Sequence, residues 1–416
     1  MMTQAFYTGV SGLKTNQYAI DTVSDNLANI STTGFRSSTT EFSSLFEKTL
    51  STTYDNTANT VGVGSAVQGT TLSQAQGSLM LSDRTTDLAI MGEGWFGVQR
   101  NDNTMYTRDG GFGFDSNSDL VTDDGLHVLG TMGGNINGGV LSAQLDETIM
   151  GAVTAQGPLN FPNILTYPTE PSTKAEFKGN IGSDDETRSM SAGVVDSLGS
   201  KNNLKLTFTK TVPQTLPGSQ WDIVATTQTL DGETIYDTKN AQISFNSSGA
   251  LISTTLTSID NNGSAIAIDL GSGFDGVVSL GGEITSSSVS DGAIAGDLVG
   301  YNINNSGEVI AAFSNGMQSS VGKIALFHFQ NDQGLQRVGN SNFTQSNNSG
   351  DAIFYTDING AYTSGSEIAS SRLESSNVNM AKGLTELIIY QRSFDASSKS
   401  ITTADEMMQK ALNMDA

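Results

Sequence analysis

Cysteine is absent from this 416-residue chain. Its absence excludes a disulfide framework and any Cys-ligated metal centre, and it suits a chain that leaves a reducing compartment unfolded. Proline is scarce, with 6 residues, none of them before Pro158, so nothing interrupts a helix near the N-terminus. Positive charge is also in short supply: 20 basic residues face 43 acidic ones, for a formal net charge of −23. Such a polyanion repels phosphate backbones, which excludes nucleic acid as a partner. No apolar run approaches the 18 or so residues of a membrane-spanning helix, so no membrane insertion is expected. The N-terminal MMTQAFYTGVSGLKTNQ lacks a basic region followed by an apolar run, so a cleaved secretory signal is not expected either.

What replaces charge is Ser, Thr, Asn and Gly. Charged residues make up 15% of the chain, against roughly 25% in an average domain. Together with 46 glycines, this composition favours turn-rich β structure over a charged helical bundle. The charge is uneven. Residues 1–30 carry Lys14 against Asp21 and Asp25, and 377–416 carry four basic residues against five acidic ones. Both ends are therefore nearly neutral, as surfaces packing beside copies of themselves should be, and the acidity lies between them.

The ends have helical periodicity. Phe6, Leu13, Ile20 and Leu27 recur every seven residues, and Met380, Leu387, Phe394, Ile401 and Met408 do the same. Val10 and Leu384 open companion rows, but Gln17 and Ser24, and Gln391, Ser398 and Asp405, then make those rows polar. These are amphipathic helices of coiled-coil-like period whose seam is too polar for a tight isolated dimer. The weak stripe predicts termini that are largely disordered in the free monomer and order on assembly. Both helices could simply cap a globular core. A partner-helix role is favoured by their place at the termini and by the small residues flanking them, Gly9, Ser11, Gly12, Gly383, Ala396, Ala404 and Ala411.

Between the ends the period falls to two. Leu204, Leu206 and Phe208 alternate with polar residues, and further short strands are expected at 87–91, 95–98, 223–226, 241–245 and 323–329. Turn signals at Asp109-Gly110, Asp124-Gly125, Ser248-Gly249 and Asn305-Ser306-Gly307 separate strands. The predicted fold class is mainly β with terminal α-helices, in discontinuous nested domains. Residues 1–30 with 377–416 form a coiled-coil-like helical core domain, and 31–71 an extended or hairpin connection. Residues 72–155 with 299–376 form a first β domain, and 156–298 an inserted outer one, entered at Pro158, Pro162, Pro168 and Pro171 and left through the Ser/Gly-rich stretch around 283–297.

Candidate chemistry is thin. Gly92-Glu93-Gly94-Trp95-Phe96-Gly97 fits G-x-G-x-x-G, but a strand and turn follow where a dinucleotide site needs a helix. The acidic run 115–124 lacks the spacing of a calcium loop and reads as a solvated turn. His127 and His328 have no nucleophile motif beside them, and no carboxylate pair stands out. No catalytic residue, metal site or cofactor is assigned; the chain reads as a non-enzyme.

Specific signals come from local motifs. Ser24-Asp25-Asn26-Leu27-Ala28-Asn29-Ile30-Ser31-Thr32-Thr33-Gly34-Phe35-Arg36 resembles the N-terminal signature of the bacterial flagellar rod and hook axial proteins, N-N-[IL]-A-N-x-x-T-x-G-F-[KR], with Asp25 in place of the usual Asn. Asn26 and Asn29 can cap the helix end, and Gly34 with Phe35 can make the exit turn. The runs Thr86-Asp87-Leu88-Ala89-Ile90, Gly92–Phe96 and Tyr106-Thr107-Arg108-Asp109-Gly110 resemble the family's first β domain, as do Ser314-Asn315-Gly316, Phe329-Gln330-Asn331 and Gln333-Gly334-Leu335. Glu374-Ser375-Ser376-Asn377-Val378 and Gln391-Arg392-Ser393-Phe394 resemble its C-terminal signature, with Phe394 for Tyr and Asn379 for Asp. The large middle segment and Val194-Val195-Asp196-Ser197-Leu198-Gly199 resemble the hook branch; a distal-rod or rod-like protein is the nearest alternative.

The resemblance implies a helical homopolymer, a bendable tube acting as a universal joint between rod and filament, with the terminal helices lining its interior. It implies the distal rod, a hook cap, a hook–filament junction protein and the flagellar type III export gate as partners, and an extracellular place on the flagellum. Phe42, Leu45 and Phe46 stand where the family carries an export-recognition element, although an amphipathic packing turn explains them equally well. A secreted β-rich adhesin that happens to carry terminal helices is the competing class.

Overall fold

A computed structural model describes residues 2–45, 48–49, 60–61, 64–214 and 218–414. Two helices, α1 (Met2–Ala28) and α2 (Met380–Met414), enclose a long β region. At about 1.5 Å per residue they are about 40 and 52 Å long. Asn379 starts α2, its side-chain oxygen accepting the Lys382 N–H at 3.1 Å. Asn caps as well as Asp, so the departure from the family pattern costs nothing at this place. Past the end of α1, Gly34 turns the chain at φ 64°; a Cβ there would lie 2.4 Å from the Asp109 nitrogen.

The helices pack antiparallel. Gly9 lies against Ile401, Gly12 against Ser397 and Gly383 against Leu27. Of the two stripes, Ile401 and Leu27 thus pack within their own chain. Beyond α1 the chain doubles back as a hairpin, Ser38–Ser44 paired with Ser65–Leu72. Its residues track α1 in reverse: Ser38 bonds Asn26, Thr40 bonds Thr22, and Ser65 bonds Thr15.

The first β body interleaves both halves of the chain. Trp95–Arg100 pairs with Asn103–Thr107, His127–Met132 and Leu326–Phe327. His127–Met132 in turn pairs with Gln318–Ile324, which leads through Glu308–Phe313 to Gly296–Ile303. Period two explains the layering. Phe96 and Val98 enter one core with Phe112, Leu120 and Val128, whereas Trp95 enters another with Tyr106, Phe327 and Phe343.

The outer body is a five-stranded meander, Arg188–Val195, Lys201–Lys210, Ser219–Thr229, Ile235–Phe245 and Leu251–Thr254, each strand antiparallel to the next. It shares a core with a sheet built around Lys174–Asn180. Leu204, Leu206 and Phe208 are fully buried there with Trp221, Ile223 and Phe177. Burying each such side chain stabilises the fold by about 1.5–3 kcal/mol.

The two cores divide the chain inside the expected 156–298 insertion. Leu159, Phe161, Leu165, Tyr167 and Ala293 belong to the first core, and the outer core begins at Ala175 and ends at Val277. The prolines misled because Pro158 and Pro162 do not mark a handover: Gly157–Pro158 pairs with Leu129 and Gly130 inside the first sheet. Such a peripheral strand tolerates a residue with no N–H.

Candidate assembly surface

The close approach of α1 and α2 is made by small residues. On α1 the buried row is Gly9, Thr15, Ala19, Val23 and Asn26; on α2 it is Gly383 and Ala404. Thr15 is satisfied locally, its hydroxyl reaching the Ser11 carbonyl at 3.0 Å and the Ser65 hydroxyl at 3.0 Å. Asn26 is satisfied through both side-chain atoms by Ser38: Nδ2 donates to the carbonyl at 2.7 Å and Oδ1 accepts the N–H at 2.9 Å.

The heptad rows flank this seam. Val10, Leu13, Ile20, Leu27, Leu387, Phe394, Ile401 and Met408 are half-buried, whereas Phe6, Met380 and Leu384 are exposed. Met380, Leu384 and Ile388, spaced by four, make an outward apolar stripe on α2, with Ile389, Met407 and Leu412 also exposed. Ile388 escaped the seven-residue count although its i, i+4 spacing marked it. Tyr7 and Tyr18 add exposed rings on α1. Outward apolar rows on a helix pair mark a surface for another chain.

Phe42 and Leu45 are each 41% exposed, and the Phe42 ring lies 6.0 Å from the Tyr390 ring of α2. Phe46 lies outside the described residues. Asn29 is half-buried, its Nδ2 donating to the Asp25 carbonyl at 2.9 Å. Gly34 and Phe35 are buried where the helices meet the first β body. The Gly34 N–H donates to the Glu374 carbonyl at 2.7 Å, and the Arg337 guanidinium sits 4.8 Å over the Phe35 ring.

At that base three motifs, far apart in sequence, converge on one carboxylate. Glu374 is 1% exposed. Its Oε1 meets Arg36 Nη2 at 2.9 Å and accepts the Gly77 N–H at 2.8 Å; its Oε2 meets Arg108 Nη1 at 3.4 Å. Arg36 also donates to the Gln74 and Ala75 carbonyls, and Arg108 donates to the Gly92 carbonyl at 2.8 Å and lies over the Trp95 ring. Burial pulls the Arg108 pKa down to about 10, with Arg36 pushing the same way and Glu374 opposing. Burial likewise lowers Arg36, against Glu374 and Asp332. Each of these residues sits inside a quoted motif, but the sequence carried no signal that the three meet.

The glycine run 92–97 is a turn entering a strand, with φ near 115° at Gly92 and Gly94. Asp115 closes its own turn, Oδ1 accepting the Asn117 and Asp119 N–H groups. His328 is buried with Nε2 2.7 Å from the Ser364 carbonyl, and His127 lies 3.7 Å from Asp119. Among the described residues no group of three or more His, Cys, Asp or Glu could hold a metal ion. Nor, among the described residues, is any helix long and apolar enough to cross a membrane.

Family models match along the chain in order. Residues 6–36 match "Flagella basal body rod protein", 89–157 "Flagellar hook protein FlgE/F/G D1 domain", 167–361 "Flagellar basal body protein FlaE D2 domain", and 369–414 "Flagellar basal body rod FlgEFG protein C-terminal". The flagellar hook protein FlgE of Brucella suis is 30% identical over 433 residues, covering 98% of each chain. Those of Borreliella burgdorferi and Salmonella typhimurium are 26% and 27% identical over 99% of this chain and the whole of theirs. The crystal structure of Helicobacter pylori flagellar hook protein FlgE2 matches with a TM-score of 0.55 at 16% identity, over 71% of this chain and 100% of that one. That likeness concerns the fold. The helix pair, the nested β bodies and a 30% identity to the Brucella protein across 98% of the chain agree: the chain belongs to the bacterial flagellar hook protein family.

Proposed function

We propose that this structural subunit polymerises into a curved, bendable helical tube that carries torque from the flagellar rod to the filament. The observation that carries the reading is the helix pair with its outward apolar stripe, Met380, Leu384 and Ile388. A heterologous contact repeated without closure builds an open tube. The family is a structural one, not a family of enzymes.

The heptad positions Phe6, Val10, Leu13, Ile20, Leu27, Met380, Leu384, Leu387, Phe394, Ile401 and Met408 are the assembly residues in this reading. Asn26, Asn29, Gly34 and Phe35 shape the base of the helices. The partners are the distal rod, a hook cap, a hook–filament junction protein and the type III export gate, which passes the chain without removing a signal peptide. The outer body is taken to span about 168–295, and sliding of neighbouring outer bodies accommodates the bend. Electron microscopy of the purified chain should show curved tubes, and deleting 1–30 or 377–416 should abolish them while the β region stays folded. Assembly that survives either deletion refutes the reading and favours an adhesin.

Phe42, Leu45 and Phe46 are proposed as the element the export gate reads. Replacing Phe42 and Phe46 with Ala should block secretion while the purified chain still folds. Normal secretion would rule the element out.

A further inference from the structure

The helical body joins the first β body through the segments 73–78 and 374–379, and the loop 29–37 is wedged between them. Side-chain bonds tie all three together. Asn377 Oδ1 accepts the Ser37 N–H at 2.7 Å, and its Nδ2 donates to the Ser73 and Ala75 carbonyls at 3.3 and 2.8 Å. Ser73 N–H donates to the Ser37 carbonyl, and Ser375 N–H to the Ser78 carbonyl, both at 2.8 Å. Glu374 adds the charged centre: Arg36 from the loop, Gly77 from the second segment and Arg108 from the β body all bond its carboxylate. No Cβ fits at Gly77, where it would stand 1.8 Å from the Ser375 oxygen.

The junction between the two β bodies is built differently. Two segments cross it, and they are held by backbone bonds: Glu170 N–H to the Ala293 carbonyl at 2.8 Å, the reverse bond at 2.9 Å, and Asp291 N–H to the Lys174 carbonyl at 3.3 Å. Thr173 and Lys174 N–H groups also bond Asp291 Oδ1, but these groups are exposed. Among the described residues no ion pair spans this junction.

A buried carboxylate between two guanidiniums has few alternative arrangements. Rotating it away leaves buried charges unpaired, so the contact is bistable rather than gradually yielding. Backbone bonds between two crossing segments leave no buried charge unpaired when they part, so they open at less cost.

We propose that Glu374 and Asn377 form a clasp that fixes the helix pair on the first β body as one rigid piece. Glu374 is the positioning residue, and the subunit articulates instead at the Glu170–Ala293 crossing. The clasp stands on the geometry of one chain. Its mechanical consequence, that hook bending is taken up outside the clasp, rests on the function proposed above.

Hydrogen exchange of the full-length chain tests this without requiring polymer. In wild type, peptides covering 34–37, 73–78 and 374–377 should exchange more slowly than those covering 168–173 and 291–295. Glu374→Gln should speed exchange in all three clasp segments together, by about tenfold or more. Peptides covering 96–107 and 318–324 in the β body should keep their protection. Asn377→Ala, which removes no buried charge, should open the same three segments and serves as the second variant if E374Q destabilises the whole body. The clasp is refuted if exchange rises only around 374 in either stably folded variant, or if both variants also expose 96–107 and 318–324. Faster exchange at the clasp than at 168–173 in wild type would refute the placement of the joint. Loss of tube formation in the wild-type chain would overturn the hook reading alone.

Discussion

The sharpest test of the helix pair is to add one carbon at two glycines that face the same seam. A Cβ on Gly9 would lie 2.6 Å from Ile401 Cγ1 and 3.4 Å from the Ser397 carbonyl oxygen. Ile401 is β-branched and stiff next to its backbone, so relief requires the helices to move apart. A Cβ on Gly383 would meet Leu27 Cδ2 at 3.0 Å, the far end of a side chain that can rotate. Replacing Gly by Ala inside a helix gains about 0.8–1.0 kcal/mol in propensity at either site. Overpacking a rigid contact costs about 1–3 kcal/mol, whereas a displaced rotamer costs about 0.5–1.5 kcal/mol. Gly9→Ala should therefore lose up to about 2 kcal/mol, and Gly383→Ala should come out near zero. In an assembly held by this pair, the first raises the critical concentration for tube formation by up to about thirtyfold, and the second leaves it within about threefold. Sedimentation of tubes across a concentration series reads both. Equal critical concentrations for the two variants, or easier assembly of G9A, would show that α1 and α2 do not pair in this register in the tube.

Two further outcomes follow from the β bodies, each of which holds one tryptophan, Trp95 in the first and Trp221 in the outer. Asp196 is fully buried and accepts bonds from Leu198 and Ser200 N–H and from the Asn202 and Asn262 side chains. Asp196→Ala should cost the outer body about 2–4 kcal/mol, at about 1–3 kcal/mol per orphaned buried donor less what water recovers at the exposed turn. Denaturation followed by Trp221 fluorescence in a Trp95→Phe background checks it, and an unchanged midpoint refutes the role. Burial holds the His328 pKa below the usual imidazole value, against the Ser364 carbonyl, Asp332 and Glu93, which raise it, while Arg108 lowers it further. A depressed folded pKa gives stability that is full above the unfolded value near 6.5 and is lost as pH falls through the folded one. His328→Phe should flatten the acid side of the stability profile read by Trp95 in a Trp221→Phe background; an unaltered slope below pH 6.5 contradicts the assignment.

The sequence by itself determined the two terminal helices and the β character of the region between them. Seven-residue spacing placed α1 and α2, and the alternation Leu204, Leu206, Phe208 placed a strand whose apolar face is fully buried. These are local properties: a 3.6 or 2.0 period is written along one segment, and Gly34 announces its own positive φ. Family motifs were legible for the same reason, as short strings. Only the tertiary structure decided which face of each helix is buried. Gly9, Thr15, Ala19 and Val23 are the buried positions, and the heptad row is only half-buried beside them, because α1 must take both α2 and the Ser38–Ser44 hairpin. It also divided the two cores between Tyr167 and Ala175, since Pro158, which looked like part of a linker, pairs at the margin of the first sheet. Arg36, Arg108 and Glu374 are the clearest case. Their meeting depends on three chain segments separated by tens to hundreds of residues closing on one buried point, and no periodicity along the chain encodes that distance.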